Sequence, residues 1–212
     1  MKQSENSKPI VYVVDDDMDV RQGLSALMES IGLDCKVFAS AQEFFEEQPL
    51  NSPSCLVLDV RLQGTSGLDV QMRLAKAQME IPIIFMTAHG DIPMSVQAMK
   101  AGAVEFLLKP VREQELLDAV HVALDRDRAR RRADEELREL KMRFESLSHR
   151  EREILSMVTS GMLNKQIAAE MGLSEVTVKV HRHNLMKKLA AKNVPDLVRM
   201  ADNLGVCRPP QN

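Results

Sequence analysis

Five side chains that could together hold a phosphoryl group stand at the ends of short apolar runs. Asp59 closes the run Cys55-Leu56-Val57-Leu58, and a glycine-containing loop, Val60 to Gly67, follows at once. Ile10–Val14 stops at Asp15-Asp16-Asp17, Ile83–Thr87 ends in a hydroxyl, and Val104–Leu108 leads into Lys109-Pro110. Each has an ordinary reading of its own: a turn-capping carboxylate, helix N-terminal charges, a β-branched strand residue, a strand-end lysine. Brought to one place, Asp15, Asp16 and Asp59 would repel unless a cation neutralised them. A hard divalent ion with oxygen ligands suits such a cluster, and Mg²⁺ (or Mn²⁺) is the expected one. Thr87 and Lys109 would add a hydroxyl donor and an ammonium for a transferred phosphoryl group.

The elements between these runs decide whether the five meet. Runs as short as IVYVV, CLVLD and IIFMT read as strands buried on both faces, as in a parallel sheet. Val20, Leu24, Leu27 and Ile31 recur at helical spacing, with Gly32 as the stop. Asp34–Phe38 reads as a strand, Ser40 caps a helix over 41–48, and further helices are expected from Gly67 to about Met79 and near Met94–Ala101. Five strands alternating with helices predict a doubly wound α/β domain in the flavodoxin-like order 2-1-3-4-5. Its switch point lies between the first and third strands, which places Asp15 and Asp16 beside Asp59.

Composition bounds the rest. The 212 residues are 44% hydrophobic and 28% charged, as in a soluble globular protein of one or two domains. No apolar run approaches the ~20 residues of a membrane helix. The polar start MKQSENSKPI lacks a secretory signal's apolar core, so a cytoplasmic location is expected. Cys35, Cys55 and Cys207 are too few and too scattered for a disulfide framework or a metal knuckle. The net charge of −3 hides an asymmetry: −8 over residues 1–124, from 10 basic and 18 acidic groups, and +4 over 146–212, from 10 and 6. A basic C-terminal part joined to an acidic front half points towards nucleic acid.

Between them, residues 125–145 carry Ala129, Ala133, Leu137, Leu140 and Phe144 as one helical stripe on a heavily charged segment. The expectation is one long helix, the alternative being two helices hinged in the arginine-rich middle. The arginine run itself reads as a solvated face. Beyond it, Ser148 and Glu151 have capping-box spacing, and Ala168, Gly172 and Val178 have the spacing of a helix-turn-helix. Ser174 caps the second of its helices. There Val178, His181, Leu185 and Leu189 share one face, while Val176, Lys179, Val180, His183 and Lys187 share the other. Lysines, a histidine and small apolar groups fit base edges, thymine methyls and phosphates; Lys165 is a further candidate for a phosphate.

On these residues, 10–124 resemble a response-regulator receiver domain, and Asp15, Asp16, Asp59, Thr87 and Lys109 match its pattern member for member. The resemblance implies that Asp59 is the phospho-acceptor, served by a phosphohistidine on a sensor histidine kinase. It implies that Asp16, Asp59 and the main-chain carbonyl of Arg61 bind Mg²⁺ directly, with Asp15 acting through water. It gives Thr87 and Lys109 to the phosphoryl oxygens, makes Phe106 a switch partner of Thr87, and makes Lys109–Pro110 a cis bond. Arg61 and His89 match positions that tune hydrolysis. One departure bears on phosphoryl lifetime: Leu62-Gln63 replaces the family's usual Met-Pro.

Residues 146–204 resemble the LuxR/NarL-type four-helix DNA-binding domain, carried by LSHREREIL and SEVTVKVHRHNLMKKL. That implies Lys179, Val180 and His183 as base-reading positions and the helix Asp196–Asn203 as a dimer surface, through Leu197, Met200 and Ala201. Together the two are similar to FixJ-type response regulators, with GDIPMSVQAMKAGAVEF (90–106) as a further match. The expected organisation is a disordered start (1–9), receiver (10–124), helical linker (125–145), helix-turn-helix domain (146–204) and tail (205–212). Expected partners are double-stranded DNA, the kinase, RNA polymerase and, once phosphorylated, a second copy, with no membrane. A phosphatase-like hydrolase is the competing class. Against it, Arg61 stands two residues after Asp59, where a second carboxylate would be needed.

Overall fold

A computed structural model of the chain describes residues 8–47, 51–88, 90 and 92–206. His89, Cys207, the end of the expected helix over 41–48, and most of the expected disordered start and tail lie outside these residues. The chain divides into two compact units between Arg131 and Arg132.

The first unit contains, in chain order, β1 (Ile10–Val14), α1 (Met18–Ser30), β2 (Asp34–Phe38), α2 (Ala41–Glu46) and β3 (Ser54–Asp59). The two-residue strands β4 (Arg61–Leu62) and β5 (Thr65–Ser66) come next, then α3 (Gly67–Lys76), β6 (Ile83–Thr87), α4 (Ile92–Lys100), β7 (Glu105–Leu108) and the start of α5 (Glu113–Glu145). Five strands form a parallel sheet in the order β2-β1-β3-β6-β7. This is the expected flavodoxin-like order. The small antiparallel pair β4-β5 is additional; its residues carry no alternating apolar pattern that would announce it.

The central strands are buried along their whole length because side chains from alternate positions enter two different cores. Tyr12, Val14, Leu56, Leu58 and Phe85 pack on one face with Phe44, Val70 and Leu74. Val11, Val13, Val57 and Ile84 pack on the other with Leu24, Met28, Leu116, Val120 and Leu124. Register pairs Val14 with Leu58, Asp59 with Met86 and Thr87 with Leu108. The ends of β1, β3, β6 and β7 are therefore flush, and the residues at and just beyond them share one sheet edge.

Helix α5 runs from Glu113 to Glu145. The expectation that its arginine-rich stretch is merely solvated is corrected. Asp127 is 1% exposed; its Oδ2 accepts the Ser54 backbone N–H at 2.9 Å. Arg130 and Arg131 close on the same carboxylate at 2.6 Å. Arg131 also reaches Asn51 Oδ1 at 3.1 Å. A carboxylate can be this deeply buried because each oxygen has a charged partner and the strand amide needs an acceptor.

The second unit holds the rest of α5, then α6 (His149–Thr159), α7 (Asn164–Met171), α8 (Glu175–Leu189) and α9 (Val194–Asn203). Its core is Leu140, Leu147, Ile154, Leu155, Val158, Ile167, Val178, Leu185, Leu189 and Leu197 with their neighbours. The capping box at Ser148 and Glu151 is formed as expected. Gly172 ends α7 in the left-handed region, at φ 63°, where a glycine carries no Cβ penalty. Ser174 then caps α8. The expected dimer surface is corrected here: Leu197 and Ala201 are each 1% exposed and belong to this core, and Met200 packs against it. The apolar spacing in α9 is satisfied within the domain.

Candidate functional site

The flush strand ends bring the five expected residues of the first unit to one sheet edge. Asp15 is buried, Asp16 half-buried, and Asp59 8% exposed at the end of β3. One carboxylate oxygen from each lies within 4.8 Å of the others. Lys109 Nζ is hydrogen-bonded to Asp15 Oδ2 and Asp59 Oδ2, both at 2.6 Å. The second oxygens are held by backbone: Asp17 N–H donates to Asp15 Oδ1 at 3.0 Å and Arg61 N–H donates to Asp59 Oδ1 at 2.9 Å. Thr87 is fully buried at the end of β6, and its carbonyl accepts Lys109 N–H at 2.8 Å. That bond registers the lysine against the strand that carries the threonine. The Lys109–Pro110 bond next in the chain is cis, as the resemblance implies.

Electrostatics track the geometry. Burial pushes the Asp15 carboxyl above its ordinary range, against the lowering effect of Lys109 and the Asp17 amide. Burial works to lower the Lys109 ammonium, but its bonds to Asp15 and Asp59 outweigh this and hold it above its usual value. The donor set is hard, anionic and oxygen-only, which is what a small divalent cation requires. The residues present therefore fit Mg²⁺.

Two glycines shape the site, and only their residue type hinted at them. A Cβ on Gly67, the first residue of α3, would lie 2.5 Å from the Asp59 carbonyl oxygen. Gly67 N–H donates to Val60 O at 2.8 Å, so the loop after β3 closes back onto it. A Cβ on Gly90 would lie 2.8 Å from the Phe106 ring and 2.6 Å from Leu108 Cδ2. The loop after Thr87 is thus seated on Phe106, which also packs on Phe85 with ring centroids 6.2 Å apart. In the loop that departs from the family pattern, Leu62 is 8% exposed and joins the core, while Arg61 and Gln63 face solvent.

In the second unit, α7 and α8 pack around Ala168 and Val178. Val178, Leu185 and Leu189 are buried, with His181 half-buried beside them. The opposite row is exposed as expected: Val176 is 70% and Val180 54% exposed, and Lys179, His183 and Lys187 also face solvent, as does Lys165 on α7. Two large apolar side chains left in water within a row of cations have no packing partner among the core residues described for this unit. Glu151, expected only as a capping-box residue, and Arg182, not singled out from sequence, position this helix. Glu151 Oε2 accepts Lys188 Nζ at 2.7 Å while also capping α6 through Ser148 N–H. Arg182 donates to Asn164 Oδ1 of α7 at 2.6 Å.

Known proteins carry the same two parts. Residues 11–121 match the response regulator receiver domain and residues 145–201 match the bacterial regulatory proteins of the luxR family. Nodulation protein W of Bradyrhizobium diazoefficiens is 52% identical over 95% of this chain and 88% of its own length. Among solved structures, the response regulator StyR is 49% identical with a TM-score of 0.83, over 92% of this chain and 99% of that one. Full-length FixJ from B. japonicum is 36% identical with a TM-score of 0.57, over 96% and 100%. With an acidic pocket at one sheet edge and an exposed basic helix row in the matched luxR-type part, the chain belongs to the response regulators of two-component systems, as a receiver joined to a LuxR-type DNA-binding domain.

Proposed function

We propose that Asp59 accepts a phosphoryl group from a phosphohistidine of a sensor histidine kinase, and that this switches DNA binding and transcription. The observation that carries the reading is the placement of Lys109 Nζ at 2.6 Å from both Asp15 and Asp59, beside a third carboxylate and the end of β6. In the transfer, an Asp59 oxygen bonds to phosphorus as the phosphorus–nitrogen bond of the donor breaks. Lys109 and Thr87 would stabilise the charge on the phosphoryl oxygens. Asp16, Asp59 and the Arg61 carbonyl would hold Mg²⁺, with Asp15 acting through water; the ion supplies neutralisation of the phosphoryl charge.

Thr87 and Phe106 would pass the change to α4, shifting a pre-existing equilibrium by about 1–3 kcal/mol. The output is a homodimer. Exposed Ile92, Val96 and Met99 on α4 and Leu108 on β7 supply apolar surface for it, in place of the α9 residues now assigned to the core. The dimer would read paired half-sites through Lys179, Val180 and His183, flanked by Val176, with Lys165 and Lys187 on phosphates, and would engage RNA polymerase. The protein acts in the cytoplasm and catalyses only its own phosphorylation and dephosphorylation.

Two measurements test this. Asp59→Asn should abolish labelling by a phospho-donor; labelling equal to wild type would sink the acceptor assignment. DNA pull-down and sequencing with and without beryllofluoride and Mg²⁺ should differ. Identical binding in both states would remove the switch and leave DNA binding standing.

A further inference from the structure

Helices α3 and α4 pack on the same face of the sheet and are held very differently. α3 buries Gly67, Val70, Gln71 and Leu74, and its first residue is seated against the Asp59 carbonyl. α4 buries one of its nine residues, Ala98, while Ile92 is 79% exposed and Val96 and Met99 are each 44% exposed. A helix with so few buried apolar contacts is the kind of element that shifts at low cost. What fixes α4 is concentrated at its C-terminal end. Ala98 lies in the core, and the amides of Gly102 and Ala103 return to the carbonyls of Met99 and Ala98 at 3.0 and 3.1 Å, a Schellman closure.

Gln71 joins the two helices. Its side chain is buried, and Nε2 donates to the Ala98 carbonyl at 3.2 Å. The partner is an acceptor, so the amide nitrogen and not the oxygen must face it. That carbonyl already accepts the Ala103 amide and does not need Gln71 for its own satisfaction. A methionine or leucine beside Val70 and Leu74 would fill the core without the desolvation that an amide costs. Gln71 is therefore a poor residue for filling this core and a good one for holding a single carbonyl in place. Its bond is at the long end of the ordinary range, so a shift of α4 by about 1 Å away from α3 would break it.

We propose that Gln71 is a positioning residue of the switch: a latch from the firmly held α3 to the weakly held α4, closed in the form described here and released when α4 shifts. The inference rests on the reading above in which phosphorylation moves α4, and it adds a link that does not run through Thr87 or Phe106. A bond made in one arrangement and lost in the other biases the equilibrium towards the first. The latch thus favours the unphosphorylated arrangement, and removing it raises the share of molecules in the switched one.

The test is sedimentation of the full-length protein across a beryllofluoride titration at fixed Mg²⁺, which reads dimer formation against occupancy of the Asp59 pocket. Losing the net worth of one hydrogen bond shifts an equilibrium by about 2- to 10-fold. Gln71→Met keeps the length and removes the amide. Because coupling is reciprocal, it should lower the beryllofluoride concentration at half-maximal association by that factor and raise association in its absence. Gln71→Asn carries an amide one methylene too short to reach Ala98; it should act in the same direction, and it carries the test if the methionine variant does not fold. Val70→Ala trims the neighbouring core with the amide intact. It should lower stability in urea and leave the midpoint in place, which separates a latch from general loosening of α3. An unchanged or raised midpoint in the Gln71 variants, or an equal fall in Val70→Ala, would overturn the latch while wild-type switching still stands. Wild-type protein whose association ignores beryllofluoride would overturn the switch reading and this inference with it.

Discussion

The sheet edge of the first unit and the outer row of α8 both concentrate charge, and they do so in opposite ways. At the sheet edge the charges are buried and already answered: Asp15 and Asp59 share Lys109, and backbone amides take the remaining oxygens. Along the outer row of α8, Lys179 and Lys187 lie in water, with Lys179 paired to Glu175 at the surface. A closed network of this kind is built for a small ion and one transferred group, because little rearrangement is needed to admit them. An open row is built for a large polyanion whose own charges complete it. Substitutions should therefore cost stability where charge is enclosed, and binding where it is open.

The largest stability effect is expected at Asp127, the most deeply enclosed carboxylate of the first unit. Asp127→Ala would leave the buried Ser54 amide without its acceptor and Arg130 and Arg131 without their shared anion. Breaking a buried pair costs about 3–5 kcal/mol. Because both arginines are about 30% exposed and can rehydrate, the lower end, about 3 kcal/mol, is expected from urea unfolding of the first unit. A loss below about 0.5 kcal/mol would mean that this clamp contributes nothing to the sheet.

Next is Gly67, which packs against the end of β3 at Asp59. A methyl group there would sit 2.5 Å from a main-chain oxygen, and backbone cannot yield as a side-chain tip can. Gly67→Ala should cost about 1–3 kcal/mol and slow phosphorylation of Asp59 together with it, because the loop carrying Arg61 would shift. Unfolding and labelling measured on the same variant check this. Stability lost without any change in labelling would show that the loop does not position the acceptor.

These two residues also mark where the sequence stops being legible. The sheet order and the five pocket residues could be read because each lies next to an apolar run whose length and ends are local signals. Asp127 could not. It lies in an alternating run of acids and arginines that has the pattern of a solvated face, and its partner Ser54 is 73 positions away. Arg182 is hidden in the same manner by the lysines around it. The apolar spacing of α9 was legible as a stripe, but spacing cannot say which surface covers it, and here the domain's own core does so. Gly67 was visible as a glycine opening a helix, a poor position for helix propensity. That signal calls for a reason without supplying one.

In the second unit the enclosed carboxylate is Glu151, 4% exposed and joined to Lys188 and Ser148. Burial alone would raise its carboxyl, but the bonds from Lys188 and Ser148 prevail and hold it below the ordinary glutamate range. A depressed carboxylate contributes stability that is fully present above its unfolded value, near 4.3, and lost as pH falls through the folded value. Glu151→Gln should cost about 1–2 kcal/mol at neutral pH and flatten the acid limb of the unfolding profile of this unit. Parallel acid limbs for variant and wild type would show that another group controls it.

The smallest stability effect should come from the open row. Lys179 is exposed, and its one ion pair is a surface i,i+4 pair with Glu175, of a kind worth about 0.3–0.5 kcal/mol. Lys179→Ala should leave unfolding within about 0.5 kcal/mol of wild type. If Lys179 reads a base edge, the same change should relax preference at one position of the selected DNA by about 1–3 kcal/mol, measured by sequencing bound duplexes. Uniform weakening on all sequences would make Lys179 a phosphate contact and not a base-reading residue.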